Sequence, residues 1–123
     1  MAWIVETSDE FDGWWNELDA ETQDALAVLL RLLQEDGPQV PRLYADKLHD
    51  PDLDLRELRR TVYDGRNEKH VYRILYAFDP LRRAFLCLGG DKANDERWYR
   101  RNIPRAKEIF AAHLEDLKKR ERE

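Results

Sequence analysis

Eight cationic residues fall within forty-six positions of one another: Arg56, Arg59, Arg60, Arg73, Lys92, Arg97, Arg100 and Arg101. Aromatic residues are interleaved with them: Tyr63, Tyr72, Tyr76, Trp98 and Tyr99. Arginine forks neutralise phosphate oxygens in pairs, and aromatic faces stack on unpaired bases. Scission of RNA without a metal needs little more. A base removes the 2′-OH proton, cations hold the crowded phosphorane, and an acid protonates the leaving 5′-oxygen. Tyr or Lys serves as that base when a neighbouring cation lowers its pKa.

Other chemistries find less support. His49, His70 and His113 lie in separate segments, and no Cys-x-x-Cys or His-x-x-x-His spacing occurs, so neither a metal nor a cofactor is expected. Gly89-Gly90 stands alone, without a Walker or Rossmann pattern. Cys87 lies in an apolar run and reads as an inert core thiol, and Ser8, the sole serine, reads as a helix cap. Acyl transfer and metal-dependent classes are set aside.

The chain that must position these residues has 123 amino acids, room for one domain spanning 1–123. With 38% charged residues and no apolar run near the roughly 20 residues of a spanning helix, no membrane association is expected. The lone cysteine and the absence of a basic, apolar leader point to a soluble cytoplasmic protein. A net charge of -5 hides a division: residues 1–55 carry -11, residues 56–107 carry +7, and the tail carries -1. The middle segment therefore presents a local field suited to nucleic acid, unless the two halves neutralise one another.

Ala2-Trp3-Ile4-Val5 reads as a first strand. A helix through Phe11, Trp14, Trp15 and Leu18 follows, capped by Thr7, Ser8 or Asp9, and a second opens at Asp19 and ends at Gly37-Pro38. Residues 37–54, with three prolines and four aspartates, read as a loop. Runs over 55–62, 70–78 and 84–88 predict a three-stranded antiparallel meander ended by Gly89-Gly90. Alternation puts Val71, Arg73, Leu75 and Ala77 on one face of its central strand. A short helix capped by Asn94 or Asp95 runs through Trp98 and Tyr99, and Pro104 opens a final helix whose end, 118–123, frays.

Strand, helical hairpin, three strands and a helix, in that order, give an α+β class. With Leu58-Arg59, Tyr72-Arg73-Ile74-Leu75-Tyr76-Ala77-Phe78 and Leu88-Gly89-Gly90-Asp91-Lys92, the chain resembles the RelE/ParE superfamily of bacterial type II toxins, in its HigB-type, phage-derived branch. The resemblance spans nearly the whole chain. It implies a RelE-like fold and a metal-independent, ribosome-dependent mRNA endonuclease that inhibits translation. Its implied partners are the ribosome, mRNA and a cognate antitoxin, HigA-like with a DNA-binding helix-turn-helix, through which alone operator DNA is reached. A gyrase-poisoning toxin of the ParE kind and a non-catalytic antitoxin-binding module are the alternatives the same scaffold implies.

By the same resemblance, Arg73 falls on the middle-strand arginine that contacts the scissile phosphate. Arg59 matches the arginine closing the preceding strand, Lys92 the basic position after the last strand, and Tyr99 a tyrosine used as base or stacking platform. Arg56, Arg60, Arg97, Arg100 and Arg101 would then bind RNA around them. Glu57 departs from RelE, which carries a lysine there, and pairing with Glu57 or Asp79 is the structural alternative for Arg73.

Overall fold

A computed structural model describes residues 2–122. Its elements are β1 (Val5–Thr7), α1 (Asp9–Glu17), α2 (Ala20–Asp36), β2 (Ala45–Lys47), β3 (Arg56–Tyr63), β4 (Lys69–Phe78), β5 (Ala84–Asp91) and α3 (Trp98–Arg122), with a single 3-10 turn at Gly37–Gln39 after α2. Five strands form one sheet in the order β1-β5-β4-β3-β2. The helices cover it on both sides.

Ser8 caps α1 by accepting from the Phe11 N–H, and Asp19 caps α2 by accepting from the Thr22 N–H. Each side chain satisfies one of the donors that a helix start leaves without a partner. The apolar faces of both helices then meet one side of the sheet. Phe11, Leu26, Leu29 and Leu33 pack with Leu58, Ile74, Tyr76 and Leu86. On the opposite side, Trp98, Ala106 and Phe110 of α3 pack with Leu55, Leu75, Ala77, Phe85, Cys87 and Leu88. Cys87 is fully buried, and that burial pushes its thiol up to about 12, so it is inert as the sequence suggests.

Several elements differ from the sequence reading. The first strand is Val5–Thr7, not 2–5, and it pairs parallel with β5, which makes the sheet mixed instead of a simple meander. The proline-rich stretch 37–54 is not all loop: Ala45–Lys47 pairs antiparallel with β3 as an edge strand. Three residues between prolines carry too little periodicity to announce a strand, and the pairing comes from the partner. Gly89-Gly90 does not end the sheet either, because β5 runs to Asp91 with Gly89 opposite Ile74 and Gly90 opposite Arg73. These glycines serve close approach. A Cβ on Gly89 would enter the indole ring of Trp14, and one on Gly90 would lie 2.7 Å from Trp98 Nε1. Arg59 accordingly sits mid-strand in β3 instead of closing it.

The C-terminal region is one helix. Trp98 and Tyr99 belong to its first turn, Pro104 lies inside it, and it stays regular to Arg122, with Arg120 paired to Asp116 at 2.8 Å, so residues 118–122 do not fray. Glu123 lies outside the described residues. Proline inside a helix forfeits one backbone bond. The buried face of α3, with Trp98 at 5% exposure and Ala106 at 0%, holds the helix together across it.

A β-bulge sets the frame of β5. Leu75 pairs with Leu88 but Tyr76 with Leu86, so Cys87 is the extra residue. Cys87 and Leu88 therefore both face α3, and the strand's alternation is inverted beyond them. The Cys87 carbonyl accepts from the Ser8 hydroxyl at 2.5 Å, so the α1 cap also holds the bulge.

Candidate functional site

The registers of three strands converge on one spot. Arg59 is opposite Arg73 and Arg73 is opposite Gly90, so both arginines rise from the α3 side of the sheet beside a position without a side chain. Into that space comes Trp98, 5% exposed, and the next residue, Tyr99, reaches back over the strands. Its hydroxyl donates to Glu57 Oε2 at 2.6 Å and accepts from Arg73 Nε at 3.0 Å. Arg73 Nε lies 3.5 Å from the same carboxylate oxygen, and Arg73 Nη1 donates to the Tyr72 carbonyl at 3.0 Å. Lys92 follows β5 directly and holds its ammonium 5.6 Å from the Tyr99 ring centroid.

Arg59 completes the group from the β2 side. It donates to the carbonyls of Arg42 and Leu43, and its Nη1 lies 3.8 Å from Asp46 and 4.0 Å from Glu57. Access is graded, with side-chain exposures of 6% for Glu57, 14% for Arg73 and 31% for Arg59. Burial raises the Tyr99 hydroxyl above its ordinary pKa; its hydrogen bond to Glu57 adds to this, and Arg73 only partly opposes it. Tyr99 is therefore a neutral phenol at neutral pH.

Residues 13–111 match the family model described as "Phage derived protein Gp49-like". The chain belongs to this Gp49-like family. It is 38% identical over 97 residues to HigB3 of Mycobacterium tuberculosis (strain ATCC 25618 / H37Rv), covering 77% of this chain and 79% of that protein. It is 32% identical over 127 residues to HigB2 of the same strain, covering 99% of this chain. Both relatives are named as candidate toxins. The Gp49-like chain spans about three fifths, 61%, of HigB2. Among solved structures, a double arginine mutant of the E. coli toxin RelE in the free state matches with a TM-score of 0.53 at 16% identity, covering 78% of this chain and 90% of that one. The intact E. coli RelBE toxin–antitoxin complex matches with a TM-score of 0.53 at 17% identity, covering 72% of this chain and 95% of that one. The Gp49-like chain thus has a RelE-like α+β fold.

Of the cationic residues read from the sequence, Arg59, Arg73 and Lys92 meet at this site with Tyr99. Arg97, just before α3, and Arg100, in its first turn, are exposed, while Arg101 is ion-paired to Asp95. Arg56 and Arg60 do not join. Strand alternation turns both to the other face, where Arg60 donates to the Ala25 carbonyl of α2, and Arg56 pairs with Asp54 at 3.2 Å and lies 5.3 Å from the Phe78 ring centroid. Tyr72, Tyr76 and Trp98 are buried and cannot stack on a base.

Glu57 is the residue the sequence reading left out of the site. Its signal is a lone acid in a strand that carries three arginines, Arg56, Arg59 and Arg60. His70 is the other surprise. Its Nδ1 lies 2.7 Å from Asp91 Oδ2 and its Nε2 2.8 Å from Asp64 Oδ2, with the ring stacked on Tyr72 at 5.7 Å. Asp91 Oδ1 also accepts from the Val71 and Ala93 N–H groups, fixing the strand end that carries Lys92. Asp64, Glu68 and His70 are the one group of potential metal ligands among the described residues, and both His70 nitrogens are already engaged by aspartates.

Asp79, the other candidate partner of Arg73, is occupied elsewhere. It accepts from Arg83 Nε at 3.1 Å and contacts His113 Nε2 at 2.9 Å, and Arg83 continues to Glu6 at 2.6 Å. This network ties β1 to the turn after β4 and to α3, and it leaves Arg73 to Glu57.

Proposed function

We propose that this Gp49-like chain, as a single domain, is the toxin of a type II toxin–antitoxin pair, and that it cuts ribosome-bound mRNA without a metal. The observation that carries the reading is the Glu57–Tyr99–Arg73 contact, with Arg59 and Lys92 around it. A buried carboxylate already holds the tyrosine proton, so the phenol oxygen can accept a second proton as its own passes to Glu57. The 2′-oxygen attacks phosphorus, its proton moves to Tyr99, and the Tyr99 proton moves to Glu57. Arg59 and the free Nη hydrogens of Arg73 hold the phosphorane oxygens. Lys92 protonates the departing 5′-oxygen as the P–O5′ bond breaks, leaving a 2′,3′-cyclic phosphate and a 5′-hydroxyl. Solvent then reprotonates Lys92 and deprotonates Glu57.

The relatives' names support the toxin reading, and the RelBE complex is the precedent for a partner antitoxin. No helix among the described residues is long and apolar enough to cross a membrane. The antitoxin proposed here is HigA-like, with the ribosome and translated mRNA as targets. Inducible expression in a bacterial host, with mapping of mRNA 5′ ends, tests the reading. The wild type should arrest growth and cut within translated frames. Arg73→Ala should lower cutting about 100- to 1,000-fold, the cost of one lost oxyanion donor. Glu57→Gln should lower the rate while leaving ribosome binding intact. Growth arrest with intact mRNA would overturn the nuclease and point to a protein target such as gyrase.

A further inference from the structure

The aromatic residues interleaved with the cations have one exposed survivor. Tyr63, at the end of β3, is 60% exposed, whereas Tyr72, Tyr76 and Trp98 are each below 9%. Register and alternation put it on the same face as the site. Arg59 is opposite Arg73, Thr61 opposite Val71, and Tyr63 opposite Lys69, so three cross-strand pairs run in line from the site to the hairpin tip. The helix that covers this side packs on Leu75, Ala77, Phe85 and Leu88, leaving the hairpin uncovered, with Thr61, Tyr63 and Lys69 all exposed. Four residues of strand separate Tyr63 from Arg59, about 13 Å at strand rise. That distance places Tyr63 beyond the nucleotide being cut and beside a flanking one.

We infer that the open face of the β3–β4 hairpin is a track for the single-stranded RNA that flanks the cut, with Tyr63 as the stacking platform for one base and Lys69 as a contact to its phosphate. The inference rests on the proposed nuclease reading and extends its substrate contacts. Charge and continuity select RNA as the occupant. The stripe begins at two arginines and ends at a lysine; of the two acids in the hairpin turn, Asp64 is engaged by His70, and Glu68 is exposed two residues from the exposed Arg66. The face offers a single exposed ring between polar and cationic groups. A protein partner would want a contiguous apolar core there. Stacking on a ring tolerates any base but prefers large ones, so this platform favours purines at one flanking position.

Two measurements, with wild type, Tyr63→Ala, Tyr63→Phe and Arg73→Ala, test this. The first is cleavage of mRNA in a reconstituted translation reaction. The second is binding of a fluorescent, uncleavable 2′-O-methyl oligoribonucleotide at low salt. Tyr63→Ala should weaken oligonucleotide binding by about 5- to 150-fold, the worth of one stacked base. It should also flatten the preference at one flanking base without moving the cut, and Tyr63→Phe should match the wild type in both. If Tyr63→Ala matched the wild type in both measurements while Arg73→Ala lost cutting, the track would be wrong and the nuclease would stand. If the wild type cut nothing yet bound the oligonucleotide through Tyr63, the track would stand and the nuclease reading would fall. A Tyr63→Ala change seen only in self-association or antitoxin binding would overturn the track in favour of a protein interface.

Discussion

At the site, one carboxylate answers for two cations and a phenol. Glu57 is 5% exposed and has Tyr99, Arg73 and Arg59 within 4.0 Å, so its removal leaves Arg73 half-buried without a counter-charge. Breaking a buried pair from one side costs about 3–5 kcal/mol, more than deleting a surface contact. Glu57→Leu should therefore lower the midpoint of chemical unfolding, and Glu57→Leu with Arg73→Met should recover part of the loss; a double-mutant cycle by urea denaturation measures both. The clamp on His70 gives a second expectation. Hydrogen bonds donated to Asp64 and then Asp91 raise the His70 pKa above its ordinary value, so the imidazolium's contribution is complete below about pH 6.5 and is lost as pH rises through the raised value. Both aspartates are lowered, so their contribution holds above the usual carboxylate range and fades on acidification: for Asp91, burial opposes the lowering and is outweighed by the Ala93, His70 and Val71 hydrogen bonds, while Asp64 is lowered first by His70. Wild type should thus lose about 1–4 °C of Tm between pH 6 and pH 8 that His70→Gln does not lose, as thermal melts across that range would show. The pairing of Arg73 with Glu57 was readable in the sequence, since both sit in adjacent strands with fixed alternation. The reach of Tyr99 to that pair was not, because it depends on how α3 docks, and docking is set by Trp98 filling the space over Gly90.

Elements show why local patterns succeed or fail. Both helices of the hairpin announced themselves through caps and a 3.6-residue apolar period, and Ser8 and Asp19 cap them as expected. What the pattern could not carry was the double duty of Ser8, whose hydroxyl meets a carbonyl 79 residues away. Ser8→Ala removes a cap and strands the buried Cys87 carbonyl at the bulge, so it should cost about 2–4 kcal/mol. Equilibrium urea unfolding tests this; Ser8→Thr keeps the hydroxyl and should restore most of the stability. Edge strands were harder to read. Both β1 and β2 are three residues long, too short for alternation, and each exists by pairing with a longer neighbour. Gly89-Gly90 looks like punctuation in one dimension, and only the two indoles against it show that it is interior strand. Pro104 misleads in the same way. It marks a helix start by local rule, yet the docked face of α3 carries the helix through it.

Across the whole molecule, the sheet divides the charge as well as the core. The exposed acids of α1 and α2, among them Asp9, Glu10, Asp12, Glu17, Glu21 and Asp24, lie on one side, while Arg59, Arg73, Lys92, Arg97 and Arg100 gather on the other. The halves cancel only in part through salt bridges: Arg56 with Asp54, Arg59 with Asp46, Arg83 with Glu6, and Lys107 with Asp50 and Asp52 join them, whereas those helix acids form no such pair among the described residues. Replacing Asp12, Glu17 and Glu21 together with lysine should strengthen binding to a non-cognate RNA oligonucleotide and steepen its salt dependence, because the added cations bind counter-charge without regard to sequence. Fluorescence anisotropy across a salt series would show it, and unchanged slopes would mean that these acids have no bearing on RNA. With five excess negative charges, the protein is repelled by a polyanion at long range, yet the helix acids on one side of the sheet and the site cations on the other give it a dipole across the sheet. In the field of a phosphate-rich surface that dipole experiences a torque before any contact forms. The molecule is turned cationic face first as it drifts in, and an encounter on its back is short-lived. Orientation, ordinarily the slow part of docking one patch on another, is then largely settled during approach.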